Sequence, residues 1–178
     1  MPSTVFQLLH PKVLSGLIES GITEPTPPQE KAIEPILSGE NVLLIAPTGS
    51  GKTEAALLPV LSKLVDERNE GIGLVYITPL RALNRDMHKR FMYWADTLGF
   101  DVQIRHGDTS QKMRRRQAIS PPKILITTPE TLQAILPSKM NQHLRQVRYV
   151  VVDEIHDLEA SKRGAQLTLG LERLDRLN

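Results

Sequence analysis

The sequence contains no cysteine, which excludes disulfides and thiolate metal sites and is compatible with a reducing compartment. Aromatic residues make up only 4% of it, too few for a platform that stacks several bases on rings. Charge of one sign is also scarce: 22 Lys and Arg stand against 20 Asp and Glu, a formal net charge of +2. That balance makes no global case for a polyanionic partner, so any such case must be local. No apolar run approaches the roughly 20 residues needed to cross a bilayer. Residues 1–12 carry no charged segment leading into a long apolar stretch, so no secretory signal is expected and a cytoplasmic setting is. Internal repeats and low-complexity tracts are lacking.

What is present suits one globular domain: 178 residues, 40% hydrophobic and 24% charged. Structural signals alternate along it. A helix is expected over 11–20, with Pro11 near its start and Gly21 stopping it. A Pro-rich turn follows over 23–28, then a helix over 29–38 ended by Gly39. Residues 41–46 form a short, unbroken apolar run that reads as a strand buried on both faces. A Gly-rich loop leads into a helix over 52–68. Strands are expected over 72–78, 102–105, 124–127 and 147–152, and helices over 80–98, 111–118, 130–136 and 165–177. The last of these places Leu167, Leu171, Leu174 and Leu177 on one face. Strands separated by helices predict an α/β fold, a mostly parallel sheet between two helical layers. Residues 1–40 would form an N-terminal helical segment and 41–178 the sheet domain, one compact body overall. Ligands of such sheets sit at the carboxyl ends of the strands.

The segment after the first expected strand is Ala46, Pro47, Thr48, Gly49, Ser50, Gly51, Lys52, Thr53. A glycine pair followed by Lys and Thr, between a strand and a helix, is a phosphate-binding loop. Gly49 and Gly51 let the backbone turn its amides inward. The helix starting near Lys52 offers unpaired amides and a positive dipole end. Lys52 reaches the β- and γ-phosphates of ATP, and the Thr53 hydroxyl suits Mg²⁺. Ala46 stands where such loops usually have their first glycine. It ends the strand, where a small residue is tolerated. The bland reading is a chance glycine turn.

A second feature is the run Val150, Val151, Val152 leading into Asp153, Glu154, Ile155 and His156. An acid at the tip of a buried strand is costly unless it serves a cation. Asp153 is placed to hold Mg²⁺ and Glu154 to orient and deprotonate an attacking water. The alternative is that Asp153 caps the next helix and Glu154 complements its dipole. His156 is either a satisfied surface residue or a link between the nucleotide site and a partner domain.

With both features in place, the sequence resembles a superfamily 2 helicase of the DExH form, and the fold implied is a three-layer RecA-like P-loop NTPase domain. Residues 21–29 resemble the Q motif that reads adenine. The resemblance implies that Gln29 bonds the adenine edge, that Thr26 supports the loop and that Phe6 stacks on the base. Residues 78–83 resemble motif Ia and 127–130 motif Ib. By the same resemblance Thr78, Pro79, Arg81, Thr127, Thr128, Pro129 and Thr131 contact the nucleic-acid backbone. Hydroxyls and amides at helix starts do suit phosphate oxygens and carry no base information. Motif Ia is expected to open a helix with Thr78, and motif Ib another with Thr127, Thr128 and Thr131. The cluster Lys112, Arg114, Arg115 and Arg116 either follows a backbone or is a solvated helix face. Phe91, Tyr93 and Trp94 read as packing residues.

Segments 46–56, 78–86, 106–109, 162–167 and 171–174 make the chain most similar to the large-helicase-related (Lhr) family. That likeness implies an ATP-dependent, 3′-to-5′ translocating helicase. Its partner would be single-stranded DNA or a 3′-tailed duplex, with RNA possible. The chain is expected to stop before the motif III strand and the second RecA-like domain with its arginine fingers. Such a piece is expected to bind nucleotide weakly, hydrolyse it slowly and unwind nothing. Competing readings are a P-loop kinase, an RNA helicase fragment and a non-catalytic nucleotide sensor.

Overall fold

In the computed structural model, residues 5–67, 71–158 and 162–178 are described, Arg81 by its backbone alone. They fall into two compact units, Met1–Arg68 and Asn69–Asn178.

The first unit holds a 3-10 turn (Phe6–Leu8) and helices α1 (Pro11–Glu19), α2 (Pro27–Leu37) and α3 (Lys52–Asp66). Pro11 sits in the first turn of α1, where its missing N–H is no loss, and the His10 ring accepts from the Lys12 amide. The same logic corrects the turn expected over 23–28. Pro27 and Pro28 are the opening residues of α2, which therefore starts two positions early with Thr26 as its N-cap. Helix α3 packs against both α1 and α2.

The strand expected over 41–46 is not formed. The segment takes no regular structure and has no ladder partner among the described residues, and Leu43 and Ile45 are 72% and 87% exposed. An apolar run argues for burial, but a strand exists only where a neighbour supplies backbone donors and acceptors. The pattern does not name that neighbour.

The second unit holds β1 (Leu74–Ile77), α4 (Arg85–Leu98), β2 (Val102–Arg105), α5 (Gln111–Ile119), β3 (Ile124–Thr127), α6 (Pro129–Ile135), α7 (Asn141–Leu144), β4 (Tyr149–Val152) and α8 (Lys162–Asp175). The four strands run parallel in the order β2-β3-β1-β4. Central β1 and β3 are buried along their length, whereas β2 and β4, at the edges, are partly open. On one face Tyr76 meets Phe91 of α4 edge to face, centroids 4.9 Å apart. On the other, Val75, Ile77 and Leu125 pack with Leu132 and Ile135 of α6 and Leu167 and Leu174 of α8. Leu171 and Leu177 pack against that cluster, as the expected leucine stripe requires. The unit is thus the three-layer arrangement the alternation predicted. Among the described residues, no helix is long and apolar enough to cross a membrane.

The helix expected over 80–98 is broken. A 3-10 turn occupies Leu80–Ala82, and α4 starts only at Arg85. Asn84 makes the break, because its side chain accepts from the Asp86 and Met87 amides at 3.0 and 2.9 Å and so caps a new helix start. Gly99, at φ 71°, closes α4. Phe91 and Trp94 are buried in it, the packing role expected of them.

Candidate functional site

The loop before α3 follows from its glycines. Gly49 and Gly51 have φ 79° and 85°, a region that side chains disfavour. Gly51 also touches the Q-motif-like segment. A Cβ there would lie 2.7 Å from Gln29 Nε2 and 2.9 Å from Thr26 Oγ1. Gln29, only 3% exposed, donates from Nε2 to Gly51 O at 3.3 Å and accepts the Thr26 amide on Oε1 at 3.0 Å. It is a strut that ties the start of α2 to the start of α3.

Lys52 folds back over the loop. Its Nζ donates to Ala46 O at 2.7 Å and Pro47 O at 2.9 Å. Ser50 donates from Oγ to Pro47 O at 2.7 Å. A phosphate oxygen is a stronger acceptor for an ammonium than either carbonyl, so this arrangement can exchange for one. Thr53, partly exposed, is in the first turn of α3, and Pro47, Thr48 and Gly49 are exposed. Phe6 is fully buried. Its ring belongs to the interior and has no face free for a base, which corrects the stacking role expected of it.

The acidic box is built at the end of β4. The Asp153 amide donates to Ile77 O at 2.8 Å and carries the ladder one step past the strand. Its carboxylate accepts the Tyr76 hydroxyl on Oδ2 at 2.6 Å and the Glu154 amide on Oδ1 at 2.9 Å. Asp153 therefore does not act as a helix cap. The next element is a 3-10 turn, Ile155–Asp157, whose N-cap is Glu154 with no side-chain capping bond. Glu154 has φ 52°, the one positive φ of a non-glycine residue among those described. That conformation costs about 1–2 kcal/mol and marks a strained residue at a candidate site. The turn brings the Glu154 carboxylate 3.2 Å from His156 Nε2, which is also 3.8 Å from Asp157.

Tyr76 escaped the sequence reading, although one signal pointed to it. A tyrosine inside an otherwise apolar strand must find a partner for its hydroxyl. Tyr76→Phe keeps the ring contact with Phe91 and removes the donor to Asp153. It is expected to lower unfolding free energy by about 1–2 kcal/mol, read as a shift in the urea midpoint with an unchanged m-value.

Thr78, Thr127, Thr128 and Thr131, expected at a nucleic-acid surface, are buried. Thr78 is fully buried, and its Oγ1 has no hydrogen-bond partner among the described residues. It does not open a helix; the 3-10 turn after it is capped by Pro79. The side chain of Arg81 lies outside the described residues. Thr127 is fully buried and donates from Oγ1 to Arg105 O at 2.9 Å. Thr128, not Thr127, caps α6, with Pro129 in the first turn. Its Oγ1 accepts the Thr131 amide at 3.4 Å and lies 3.1 Å from Thr131 Oγ1. In the basic cluster, Lys112, Arg115 and Arg116 are exposed. Arg114 instead braces the turn at 106–109, donating to Gly107 O at 2.6 Å and Thr109 O at 2.8 Å.

A parallel sheet between helices, with an acid pair leaving one strand tip, makes the class a RecA-like α/β domain. The chain belongs to the DEAD/DEAH box helicase family, whose model matches residues 26–178. It is 42% identical over 168 residues to the Lhr helicase/probable uracil glycosylase of Mycolicibacterium smegmatis, an alignment covering 86% of this chain and 11% of that protein. It is 40% identical over 190 residues to the ATP-dependent helicase Lhr-Core of Methanothermobacter thermautotrophicus, covering 97% and 22%. The structure of Mycobacterium smegmatis helicase Lhr bound to ssDNA and AMP-PNP matches with a TM-score of 0.89 at 37% identity, covering 98% of this chain and 24% of that one. The DEAD-box helicase Mss116 bound to ssRNA and UDP-BeF matches with a TM-score of 0.88 at 26% identity, covering 100% and 39%. The likeness to Lhr read from the sequence is therefore confirmed. The chain spans about a tenth to a fifth of the length of these curated relatives.

Proposed function

We propose that this chain is the ATP-binding motor domain of an ATP-dependent nucleic-acid helicase, one that holds Mg-ATP and the phosphate backbone of a single strand. The observation that carries this reading is the junction at Gly51, where the phosphate loop is closed against Gln29 and Thr26 with no room for a side chain. Structures of two similar proteins were determined with a nucleotide analogue and a single strand, DNA in Lhr and RNA in Mss116.

On this reading the ammonium of Lys52 leaves the carbonyls of Ala46 and Pro47 for the β- and γ-phosphates. The amides of 48–53 cradle the same oxygens, without side-chain interference at Gly49 and Gly51. Gln29 reads the adenine edge by exchanging one of its two internal bonds, with Thr26 behind it. The hydroxyl of Thr53 and the carboxylate of Asp153 are hard oxygen donors, the set that fits Mg²⁺. When bound, Mg²⁺ would neutralise charge on the phosphates. Tyr76 fixes the orientation of Asp153. Glu154 orients the attacking water and takes its proton. His156, through its contact with Glu154, couples that carboxylate to a partner domain.

The strand passes the carboxyl ends of β1 and β3, where residues 78–81 and 127–131 lie. Single-stranded DNA, or a 3′-tailed duplex, is the partner favoured by the likeness to Lhr. The Mss116 match favours RNA as the second reading. Arginine fingers from a partner RecA-like domain would contribute about three to five powers of ten in rate. A cytoplasmic setting, where ATP and nucleic acid meet, fits this role. The test is titration of labelled oligo(dT) and oligo(U) with and without Mg-AMP-PNP. Severalfold tighter strand binding with nucleotide is expected, DNA over RNA. Affinity indifferent to nucleotide for both strands would exclude a motor domain.

A further inference from the structure

Arg105 is used by none of the chemistry above. It ends β2, in register with Thr127 of β3, which is itself in register with Ile77 of β1. The residue is 8% exposed, and its Nη1 is buried without a hydrogen-bond partner among the described residues. A guanidinium stays charged and offers five donors in a rigid fork. Its pKa is lowered from the ordinary value first by burial and then by the nearby charge of Arg114. Both influences oppose the charge, and no ion pair with a carboxylate offsets them among the described residues. A buried cation in that condition destabilises the fold.

The surroundings are rigid rather than adaptable. Arg114 is committed to the carbonyls of Gly107 and Thr109, and the His106 amide donates to Thr109 Oγ1 at 2.9 Å. Two guanidinium groups are thus kept near each other at the carboxyl end of a parallel strand, the end where anionic ligands of such sheets sit.

We propose that Arg105 is the core of an anion site that a backbone phosphate of the bound strand completes. The planar fork of arginine matches a phosphate in two-point contact. This rests on the strand-binding reading above, and it adds a contact outside the segments that resemble motifs Ia and Ib. The fold tolerates an uncompensated charge because the working state supplies its counter-ion.

The test compares Arg105→Met, similar in length and uncharged, with Arg105→Lys. Oligo(dT) affinity is measured across a range of KCl concentrations, alongside thermal unfolding of the free proteins. Arg105→Met is expected to weaken binding about tenfold and to make the slope of log K against log salt shallower by about 0.7, one phosphate on a single strand. Its unfolding temperature without ligand should be unchanged or higher. Arg105→Lys should restore the slope. Wild-type affinity and slope in Arg105→Met would overturn the phosphate site and leave strand binding intact. So would a fall in unfolding temperature with no change in binding, the mark of a purely structural arginine.

If wild type bound no strand, the strand reading would fail, and inorganic phosphate would then decide the anion site alone. That arm uses Lys52→Ala, which takes the phosphate loop out. Phosphate raising its unfolding temperature, but not that of the double variant with Arg105→Met, supports the site. No such difference overturns it.

Discussion

Lys52→Ala is expected to weaken Mg-ATP binding by two orders of magnitude or more, beyond detection in calorimetry, while Glu154→Gln binds ATP within a fewfold of wild type. The ammonium of Lys52 is already inside the loop, bonded to Ala46 O and Pro47 O. A bond from a charged donor contributes about 1.5–3 kcal/mol, and losing two of them, one to each phosphate, gives at least the stated factor. The carbonyls left behind, part-buried at Ala46 and exposed at Pro47, find water, so the folded chain should survive. Glu154 stands differently. Its proposed work is on the water, not on the phosphates, so the amide should spare binding and reduce hydrolysis by about two to four powers of ten. Hydrolysis is read as strand-stimulated ATP turnover. Gln has the same backbone preferences at φ 52°, so the strained turn is kept. If neither change altered ATP affinity, the glycine loop would not be the nucleotide site. If both abolished it, Glu154 would be a ligand of the nucleotide and not a base.

The glycine turn before α3 and the acid pair after β4 were legible as candidate sites because their signals are local. Glycines at the two positive-φ positions, Lys52 opening a helix, and valines ending in Asp153 and Glu154 are all read within a few residues. The leucine stripe of α8 was legible for the same reason. The features that escaped depend on partners far away in sequence. Tyr76 and Asp153 are 77 positions apart, and nothing near either residue names the other. The hydroxyl of Thr127 looked available to a phosphate because only the fold reveals that Arg105 O takes it. Phe6 looked like a base-stacking ring because burial is not written in its neighbours. The run at 41–46 carries a strand's composition, but a ladder needs an edge to pair with. The break at Asn84 was readable in principle, since Asn before Arg85, Asp86 and Met87 is a capping signal that the longer apolar periodicity outweighed. The expected boundary at 40/41 and the observed units also part company. The phosphate loop and α3 group with the N-terminal helices because α3 packs on α2.

Gly51→Ala should destabilise the chain far more than Gly49→Ala, though both glycines have nearly the same backbone angle. At φ 79° and 85°, an alanine at either position loses about 1–2 kcal/mol to the left-handed conformation. Around Gly49 nothing lies within 4 Å of the added carbon, so the loss ends there. Around Gly51 the methyl would meet Gln29 Nε2 at 2.7 Å and Thr26 Oγ1 at 2.9 Å. Gln29 is nearly buried and bonded at both ends of its amide, so it cannot swing aside without surrendering the bond to Gly51 O or the one from the Thr26 amide. Breaking one buried bond adds about 1–3 kcal/mol, for a total of about 2–5 kcal/mol against about 1–2 at Gly49. Urea unfolding reads the difference, and calorimetry with ATP reads its consequence. Gly51→Ala should lose adenine-nucleotide affinity together with stability, because the residue displaced is the one proposed to meet the base. A second substitution, Gln29→Ala, removes the nearer obstacle and leaves Thr26 Oγ1 in place, so it should recover part of the stability of Gly51→Ala without recovering ATP binding. Equal losses at the two glycines would mean that Gln29 yields freely, and that the junction between the adenine segment and the phosphate loop is not the rigid element this reading requires.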